Sequence, residues 1–350
     1  MSTDPRINPS TIIAEAPCRA DLAGGTMDIW PLYIFHPGAV TVNFAVSVLT
    51  RCRITRLPGK QIRLVSLDTG HKEEFSSLEH LQTARRYKHA LAAYLMRFFA
   101  PQDGLELETH SESPAGAGIS GSSALMIAAT AALAQFTGRR LEPEKIREIA
   151  QNVEAQLIRV PTGCQDYYPA LYGGVSAIHL QADGIHREAI RVPAGELNQR
   201  FLLAYTGAPR QSGINNWKVF QAHIDGDTRV FRNFECIAVI AREMRQALAR
   251  ADWSETARLL REEWKLRKTN SPRITTPFID RLVKATARQG AQAAKVCGAG
   301  GGGCVIFLCD PEARDRVATI IAEHGGQVLP AKVEDEGLRI KGAPESPESP

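Results

Sequence analysis

The chain has 350 residues, of which 44% are hydrophobic and 23% charged, so its composition is that of a globular protein and its length predicts two domains. A formal net charge of +4 without a long basic run does not favour nucleic-acid binding. Because the apolar runs are too short to span a membrane and the polar N-terminus does not resemble a signal peptide, we expect a cytoplasmic protein. Seven cysteines without a Cys-x-x-Cys pair argue against a disulfide framework or a zinc site.

The hydrophobic pattern predicts strands and helices in irregular order. Strands are predicted at 38–55 (one strand or two), 61–66, 105–110, 175–180, 201–205, 304–308 and 326–329. Helices are predicted at 85–99, 124–136, 143–160, 216–250, 254–268, 277–289 and 311–324. This order predicts an α+β fold rather than a regular βαβ series. We expect an N-terminal domain over 1–195, a C-terminal domain over 196–340, and a disordered tail over 341–350, which is poor in hydrophobic residues.

A glycine-rich segment, PAGAGISGSSA at 114–124, separates a predicted strand from an apolar helix. Glycines let the backbone approach a ligand closely, and a helix start offers free N–H groups, so a phosphate is the natural ligand. Its G-x-G-x-x-G spacing also fits a dinucleotide site, although the segment does not belong to a first βα unit, and the absence of a lysine after Gly121 excludes a Walker A loop. A tight turn of small residues is an equal alternative, but the hydroxyls of Ser122 and Ser123 favour a phosphate–metal site.

Two carboxylates follow, twelve residues apart. Glu154 lies in a predicted helix, and Asp166 lies in the turn-forming segment PTGCQDYY. Phosphoryl transfer needs oxygen ligands for Mg²⁺ and a carboxylate near the attacking hydroxyl, and Glu154 and Asp166 suit these two roles respectively. Taken alone, Glu154 is better explained as a solvated helix residue and Asp166 as a turn or cap residue.

The segment at 16–30, APCRADLAGGTMDIW, combines an arginine, two aspartates and a glycine pair near the N-terminus. Arg19 is suited to stabilising charge on a transferring phosphoryl group, and Asp28 to accepting hydrogen bonds from substrate hydroxyls. Taken alone, Arg19 is more simply a surface ion-pairing residue and Asp28 a helix N-cap. Only a wider pattern can decide between these interpretations.

A second glycine run, GAGGGG at 298–303, precedes the predicted strand at 304–308. Five glycines in six positions are costly to order, so a fold retains them where the backbone must pack or bind closely. A flexible linker is the alternative, but a linker is not usually flanked by a run such as CVIFL. This segment therefore indicates a second close approach of the backbone.

Taken together, the three segments resemble the GHMP kinase superfamily, which includes galactokinase, homoserine kinase and mevalonate kinase. Residues 16–28 are similar to the family's substrate-and-arginine motif, 114–124 to its phosphate loop, and 298–303 to its G-A-G-G-G-G motif. The segments follow the family's order, and the resemblance extends over roughly 15–335. It implies an N-terminal domain of ribosomal-S5-like type, a ferredoxin-like C-terminal domain, and a site in the cleft between them.

The resemblance also implies a kinase that uses ATP and Mg²⁺. It places Mg²⁺ on Ser123 and Glu154, makes Asp166 the base or the orienting carboxylate for the acceptor hydroxyl, and places Arg19 on the phosphates and on that aspartate. The implied nucleotide contacts are Pro114, Gly116, Ala117, Gly118, Ser120, Gly121, Ser122 and Ser123. The implied substrate contacts are Gly25, Thr26, Asp28, Gly300, Gly301 and Arg210.

Within the family, Gly25 and Thr26 replace the Glu and His of the galactokinase G-E-H-T-D sequence. The segments QDYYPALYGG at 165–174 and YTGAPRQS at 205–212 are closer to the L-fucose kinase and D-glycero-D-manno-heptose 7-phosphate kinase types. The implied substrate is therefore a sugar or sugar phosphate. A homodimer is one option for the assembly of the protein. Arg210 would meet a substrate phosphate, with a plain surface arginine as the alternative.

Three other functions compete with a sugar kinase. A mevalonate- or homoserine-type GHMP kinase shares the same motifs. A nicotinamide-dependent oxidoreductase would use the G-x-G-x-x-G spacing, but it leaves 298–303 and the Arg19 motif unexplained. A non-catalytic family member is disfavoured because Ser123, Glu154 and Asp166 are all present.

Overall fold

The computed structural model describes residues 11–210 and 214–342. Within these ranges the strands are β1 (Thr11–Ala23), β2 (Ala39–Leu57), β3 (Ile62–Ser66), β4 (His71–Phe75), β5 (Gly104–Ser111), β6 (Val175–Gln181), β7 (Gly184–Ile190), β8 (Phe201–Tyr205), β9 (Ala291–Val296), β10 (Cys304–Cys309), β11 (Gln327–Leu329) and β12 (Arg339–Lys341). The α-helices of the same ranges are α1 (Leu78–Thr83), α2 (Ala90–Phe99), α3 (Gly121–Phe136), α4 (Pro143–Ile158), α5 (Tyr167–Tyr172), α6 (Ala194–Arg200), α7 (Ile214–Ile224), α8 (Thr228–Ala249), α9 (Trp253–Asn270), α10 (Pro277–Ala287) and α11 (Arg314–Glu323). The predicted tail lies outside the described residues from 343 onward.

The first sheet is built on two long strands, β1 and β2. Its order is β12-β1-β2-β5-β3-β4, and β6 and β7 extend it from β2. The antiparallel register of β1 and β2 sets Arg19 opposite Ala45 and Asp21 opposite Asn43. The first part of β2 pairs with β6 and its second part with β5, so one strand, rich in β-branched residues, serves two neighbours.

The second sheet has the order β11-β8-β10-β9 and is antiparallel throughout. Helix α9 packs against β9, and α8 packs against both α9 and β2, so the helices join the two sheets. The main hydrophobic core includes buried residues from both sheets. Two sheets with interspersed helices confirm the predicted α+β class.

The chain changes from the first sheet to the second between β7 and β8. Residues beyond β11 then return to the first sheet, where β12 pairs with β1, and the amides of Ser47 and Glu334 bond to the carbonyls of Lys332 and Ala45. The division of the chain at 195/196 therefore remains a prediction, and the chain after β11 crosses back over it.

Helix α3 carries the predicted glycine loop to its N-terminus. Eleven of its sixteen residues are buried, and it packs against β1 and β2. Ser120 precedes it with a φ of 61°, a left-handed conformation that turns the loop into the helix. The first amides of α3 have no intrahelical acceptors, so this end of the helix can receive an anion.

Two predicted helices differ from the observed ones, and some observed strands, β1 among them, were not predicted. The predicted helix at 216–250 is two helices, because Gly226 has a φ of 85° and the Asp227 side chain caps α8 by accepting from the amides of Arg229 and Val230. The predicted helix at 85–99 begins only at Ala90. β1 was not predicted, since the segment at 16–30 was interpreted only for its polar residues.

Candidate active site

A cavity of about 420 Å³ opens at the N-terminus of α3. Its walls come from the end of β1, the loop after β1, the segment between α4 and α5, helix α7 and the second glycine run. Its polar lining residues are Arg19, Thr26, Asp28, Ser122, Ser123, Glu154, Thr162, Gln165, Asp166, Arg210, Asn216, Lys218, Gln221 and Arg267. The fold thus collects charged groups of both signs on one concave surface.

Arg19 and Asp166 meet in this cavity, although 147 residues separate them in sequence. Nε and Nη2 of Arg19 donate to Oδ1 of Asp166 at 2.8 and 2.7 Å, and Nη1 donates to the carbonyl of Gly118 at 3.0 Å. Arg19 is 2% exposed, whereas Asp166 is 22% exposed and faces the cavity. Burial alone would lower the pKa of Arg19, but Asp166 and Asp21 outweigh it and raise the pKa, so the guanidinium stays charged.

Glu154 and two serines form a group of oxygen atoms at the start of α3. The Ser122 hydroxyl donates to Oε1 of Glu154 at 2.6 Å, and the Tyr167 hydroxyl donates to Oε2 at 2.6 Å. Ser123 lines the cavity beside them. Burial raises the pKa of Glu154. One carboxylate and two hydroxyls suit a hard cation such as Mg²⁺. The described residues hold no cluster of three or more His, Cys, Asp or Glu that could bind a metal by itself. Phosphate oxygens at the helix N-terminus would therefore complete the ligands of the cation.

Asp28 reaches the cavity from the loop after β1 and is 3% exposed. Its Oδ2 accepts from the amide of Gln165 at 2.9 Å. A Cβ at Gly163 would lie 2.0 Å from the same oxygen, so only glycine fits there. Burial raises the pKa of Asp28 to about 6, and nearby Asp166 acts in the same direction. These contacts therefore fix the position of the Asp28 side chain, while burial disfavours its ionised form.

The other two residues predicted in this loop differ in placement. Thr26 lines the cavity, and its hydroxyl donates to the Asn216 side chain of α7 at 3.2 Å. Gly25 does not line it: a Cβ there would lie 2.8 Å from Nη1 of Arg267 and 3.1 Å from Nε2 of Gln165, so the side chains of these two cavity residues occupy the space beside it. Gly25 therefore permits close packing beneath the loop.

The two glycine runs pack against each other. The amide of Cys304 donates to the carbonyl of Ala117 at 2.6 Å. A Cβ at Gly298 would lie 2.9 Å from the Gly118 carbonyl oxygen, and Gly298 has a φ of 65°. Ser122 and Ser123 line the cavity, while the other predicted nucleotide contacts form the adjoining loop and helix start: Pro114, Gly116, Ala117, Gly118, Ser120 and Gly121.

Gly300 and Gly301, predicted to contact substrate, lie beside Ile274 and do not line the cavity, so that contact remains a prediction. The amide of Gly301 donates to the Ile274 carbonyl at 2.8 Å, and a Cβ at Gly300 would lie 2.3 Å from that oxygen. Gly298 and Ala299 line the cavity in their place. The centre of the run is thus packed against the chain after α9.

Arg210 lines the cavity between the two glycine runs. A Cβ at Gly298 would lie 2.6 Å from its Nη1, and one at Gly118 would lie 3.3 Å from its Cδ, so both glycines leave room for this side chain. Burial lowers the pKa of Arg210, and no carboxylate of the described residues pairs with it. Its neighbours Gln211 and Ser212 lie outside the described residues.

Sequence reasoning did not find several residues on the cavity wall and in the buried layer behind it. On the wall these are Asn216, Trp217 and Lys218, and the buried charged residues behind it are Asp21, Glu263, Arg267 and Lys295. Lys295 stands three residues before the second glycine run, which is a usable signal. Asp21 lies inside the segment at 16–30 but was assigned no role, and the others lie on helices with no local pattern to mark them.

Anion-binding amides, an oxygen group suited to Mg²⁺ and an arginine–carboxylate pair are together the equipment of a phosphotransferase. Two family models match the chain, the GHMP kinases N terminal domain at residues 83–174 and the GHMP kinases C terminal domain at 244–327. The protein belongs to the GHMP kinases, as its motifs predict.

None of the helices in the described ranges has both the length and the hydrophobicity that a membrane span requires.

Three relatives illustrate the relationship. The chain is 26% identical to the D-glycero-alpha-D-manno-heptose 7-phosphate kinase of Campylobacter jejuni, over 94% of this chain and 98% of that protein. It is 26% identical to the bifunctional fucokinase/GDP-fucose pyrophosphorylase of Arabidopsis thaliana, over 89% of this chain and 31% of that protein. The structure of Lactococcus lactis galactokinase complexed with galactose superposes with a TM-score of 0.78 at 16% identity, covering 95% of both chains, which shows a shared fold.

Proposed function

We propose that this protein transfers the γ-phosphate of ATP to a hydroxyl group of a sugar or sugar phosphate. The observation that carries the proposal is the contact of Arg19 with Asp166 at 2.7–2.8 Å, beside the N-terminus of α3. The heptose 7-phosphate kinase and the fucokinase support a sugar as the acceptor, because each matches most of this chain.

The N-terminus of α3 and the loop before it are suited to the phosphates of ATP. Backbone amides at a helix start bind anionic oxygens, and the glycines at 116 and 118 keep that loop closely packed. Ser122, Ser123 and Glu154 would hold Mg²⁺, which neutralises charge on the phosphates when it is bound. The raised pKa of Glu154 means that metal binding would compete with a proton at acid pH.

Asp166 is placed to orient the acceptor hydroxyl. Both bonds from Arg19 go to Oδ1, and within the described residues Oδ2 has no hydrogen-bond donor, so it is available to the acceptor. The hydroxyl proton passes to this carboxylate or is lost late, because a loose transition state needs little deprotonation. Arg19, held beside Asp166, stabilises the negative charge of the transferring group.

The acceptor would lie between the loop after β1 and helix α7. Asp28, Thr26 and Asn216 offer fixed hydrogen-bonding groups to its hydroxyls. Arg210 and Lys218 add positive charge to the lining of the same cavity, which suits an acceptor that already carries a phosphate. A site built around hydroxyl contacts rejects analogues that lack them strongly.

The test is a screen of monosaccharides and sugar phosphates for acceptor-dependent ADP release. We expect activity with at least one of them, and Asp166→Asn should lower kcat by about 10²–10⁴-fold while leaving ATP affinity unchanged. Near-normal turnover in Asp166→Asn would remove this residue from the chemistry. Activity on mevalonate or homoserine with every sugar inert would show that the acceptor class is wrong, and binding of a nicotinamide cofactor would favour the oxidoreductase alternative.

A further inference from the structure

Behind Arg19 lies a group of four buried charged side chains, which we call the ion cluster: Asp21, Glu263, Arg267 and Lys295. Their exposed fractions are 0% to 5%. Nζ of Lys295 lies 2.8 Å from Oδ2 of Asp21 and 2.9 Å from Oε2 of Glu263. Nη1 of Arg267 lies 3.3 Å from Asp21 and 3.7 Å from Glu263. Two negative and two positive charges balance, as burial requires.

The ion cluster joins elements that are distant in sequence. Asp21 belongs to β1 in the first sheet, Glu263 and Arg267 to α9, and Lys295 to β9 in the second sheet. Asp21 and Lys295 are 274 positions apart. The cluster therefore fixes the strand that carries Arg19 relative to the strand that leads into the second glycine run.

The two oxygens of Asp21 face different partners. Oδ2 contacts Lys295 and Arg267, the cations of the cluster. Oδ1 accepts from the amide of Gly298 at 3.0 Å and lies 3.4 Å from Nη1 of Arg19. Arg267 also donates to the carbonyl of Gly298 at 3.0 Å. The cluster thus binds both the amide and the carbonyl of Gly298, which lines the cavity. Oδ1 of Asp21 contacts Gly298 and Arg19, which belong to the cavity.

We propose that Asp21 is a positioning residue for phosphoryl transfer: it holds Arg19 in contact with Asp166 and fixes Gly298 at the cavity wall. This inference rests on the proposed kinase function. A charge that stabilises a transition state acts only from the correct position, and a misplacement of about 1 Å can cost about 10²-fold in rate. Asp21 itself is 0% exposed and does not line the cavity.

The experiment compares Asp21→Asn with Glu263→Gln. Each variant removes one negative charge from the same ion cluster without changing the side-chain size much, but Glu263 does not contact Arg19 or Gly298. In Asp21→Asn the amide oxygen will turn toward Lys295 and Arg267, leaving an NH₂ group against the donors of Gly298 and Arg19. Both variants should unfold at lower temperature than the wild type, because each leaves a buried cation less balanced.

The activity measurement separates the two roles. Well below the unfolding temperature, we expect kcat to fall about 10–10²-fold in Asp21→Asn, with KM for ATP and acceptor nearly unchanged, and to stay within about 3-fold of the wild type in Glu263→Gln. Equal losses of kcat in the two variants would overturn the proposal and leave the cluster a stabilising role only.

A second measurement does not depend on the proposed function. Hydrogen exchange of the Gly298 amide should be faster in Asp21→Asn than in Glu263→Gln, because only the former loses an acceptor for this amide. If the wild type releases no ADP with any acceptor, the proposed function fails, and exchange alone decides the positioning role. Equal exchange at Gly298 in the two variants would contradict it.

Discussion

At the residue scale, Asp28, which we propose as a substrate contact, also affects stability. Its carboxylate is buried, and its pKa is raised to about 6 from an ordinary value near 3.8. A raised pKa in the folded protein means that folding favours the protonated form. The contribution of this group to stability is therefore present at low pH and is lost as the pH rises through about 6. At neutral pH the ionised Asp28 carboxylate therefore lowers the free energy of unfolding.

Replacing Asp28 with Asn should reveal that cost. The variant removes the buried charge, while its amide oxygen can still accept from the Gln165 amide. We expect the free energy of unfolding at pH 8 to rise by about 2–3 kcal/mol, the value of roughly two pKa units, and the gain to vanish near pH 4. The KM for the sugar should rise, with ATP affinity unchanged.

Denaturant unfolding at pH 4 and pH 8 measures the first effect, and steady-state kinetics measure the second. Asp183→Asn is a suitable control, since that side chain is 76% exposed in the turn between β6 and β7. It should change neither quantity. If Asp28→Asn is less stable than the wild type at pH 8, the carboxylate is stabilising when ionised and its role here is misjudged.

At the element scale, the contact between the two glycine runs is the most demanding feature of the site. Gly298 has a φ of 65°, and a Cβ there would lie 2.6 Å from Nη1 of Arg210 and 2.9 Å from the Gly118 carbonyl oxygen. Gly298→Ala should therefore push the runs apart and displace Arg210. We expect ATP affinity to fall at least about 10-fold, which corresponds to about 1.4 kcal/mol.

Gly138→Ala provides a matched control for this change. Gly138 has a similar φ of 68°, but nothing lies within 4 Å of the added Cβ. It therefore carries the backbone strain of alanine in a left-handed conformation without the clash. Calorimetric titration of ATP should show loss of affinity only in Gly298→Ala. Equal affinities in the two variants would mean that the runs can separate without harm to the nucleotide site.

A histidine pair joins α7 to the loop before β2. Nε2 of His36 lies 2.8 Å from Nε2 of His223, and both rings pack against Phe231 and Phe234. Burial lowers the pKa of both, that of His36 to about 4. Because α7 forms a wall of the cavity, this contact bears on the acceptor site as well as on the fold.

This pair should make the protein sensitive to acid. Unfolded histidines bind protons near pH 6.5, whereas the folded pair stays neutral to lower pH, so stability falls as the pH drops from about 6.5 toward 4. The variant with both His36→Phe and His223→Phe should lose less stability over this interval than the wild type. Denaturant unfolding across the pH series checks this, and parallel curves for the two proteins would contradict it.

Features formed by residues close in sequence could be predicted, whereas features formed by residues distant in sequence could not. The glycine loop and α3 could be predicted because composition and short spacing mark them, whereas Glu154 and Asp166 were assigned roles only through the family resemblance. The ion cluster could not, since Asp21 meets Arg267 and Lys295 across 246 and 274 positions. β1 was missed for another reason: nearly all of its residues are buried, so it lacks the alternation of a strand with one wet face, and its polar residues were interpreted only as a binding motif. The break between α7 and α8 was readable from Asp-Gly-Asp, a turn signal inside the helical pattern.

At the scale of the whole molecule, the two sheets meet around the cavity. β1 from the first sheet carries Arg19 and Asp21, while β9, in the second, carries Lys295 and leads to Gly298. A main core that draws on both sheets makes this arrangement rigid. The site is therefore assembled only when both sheets are folded and packed together, which explains why no single segment of sequence describes it completely.

The return of the chain to the first sheet has a consequence for biosynthesis. β1 leaves the ribosome before every other described element, whereas its neighbour β12 at 339–341 is the last of them to emerge. Until β12 has emerged, the edge of β1 at Ile13–Glu15, in the strand that carries Arg19 and Asp21, has no partner strand. An unpaired edge can pair with another chain. The nascent protein is therefore exposed to misassembly at the start of the strand on which its proposed active site depends, and synthesis of β12 ends that exposure.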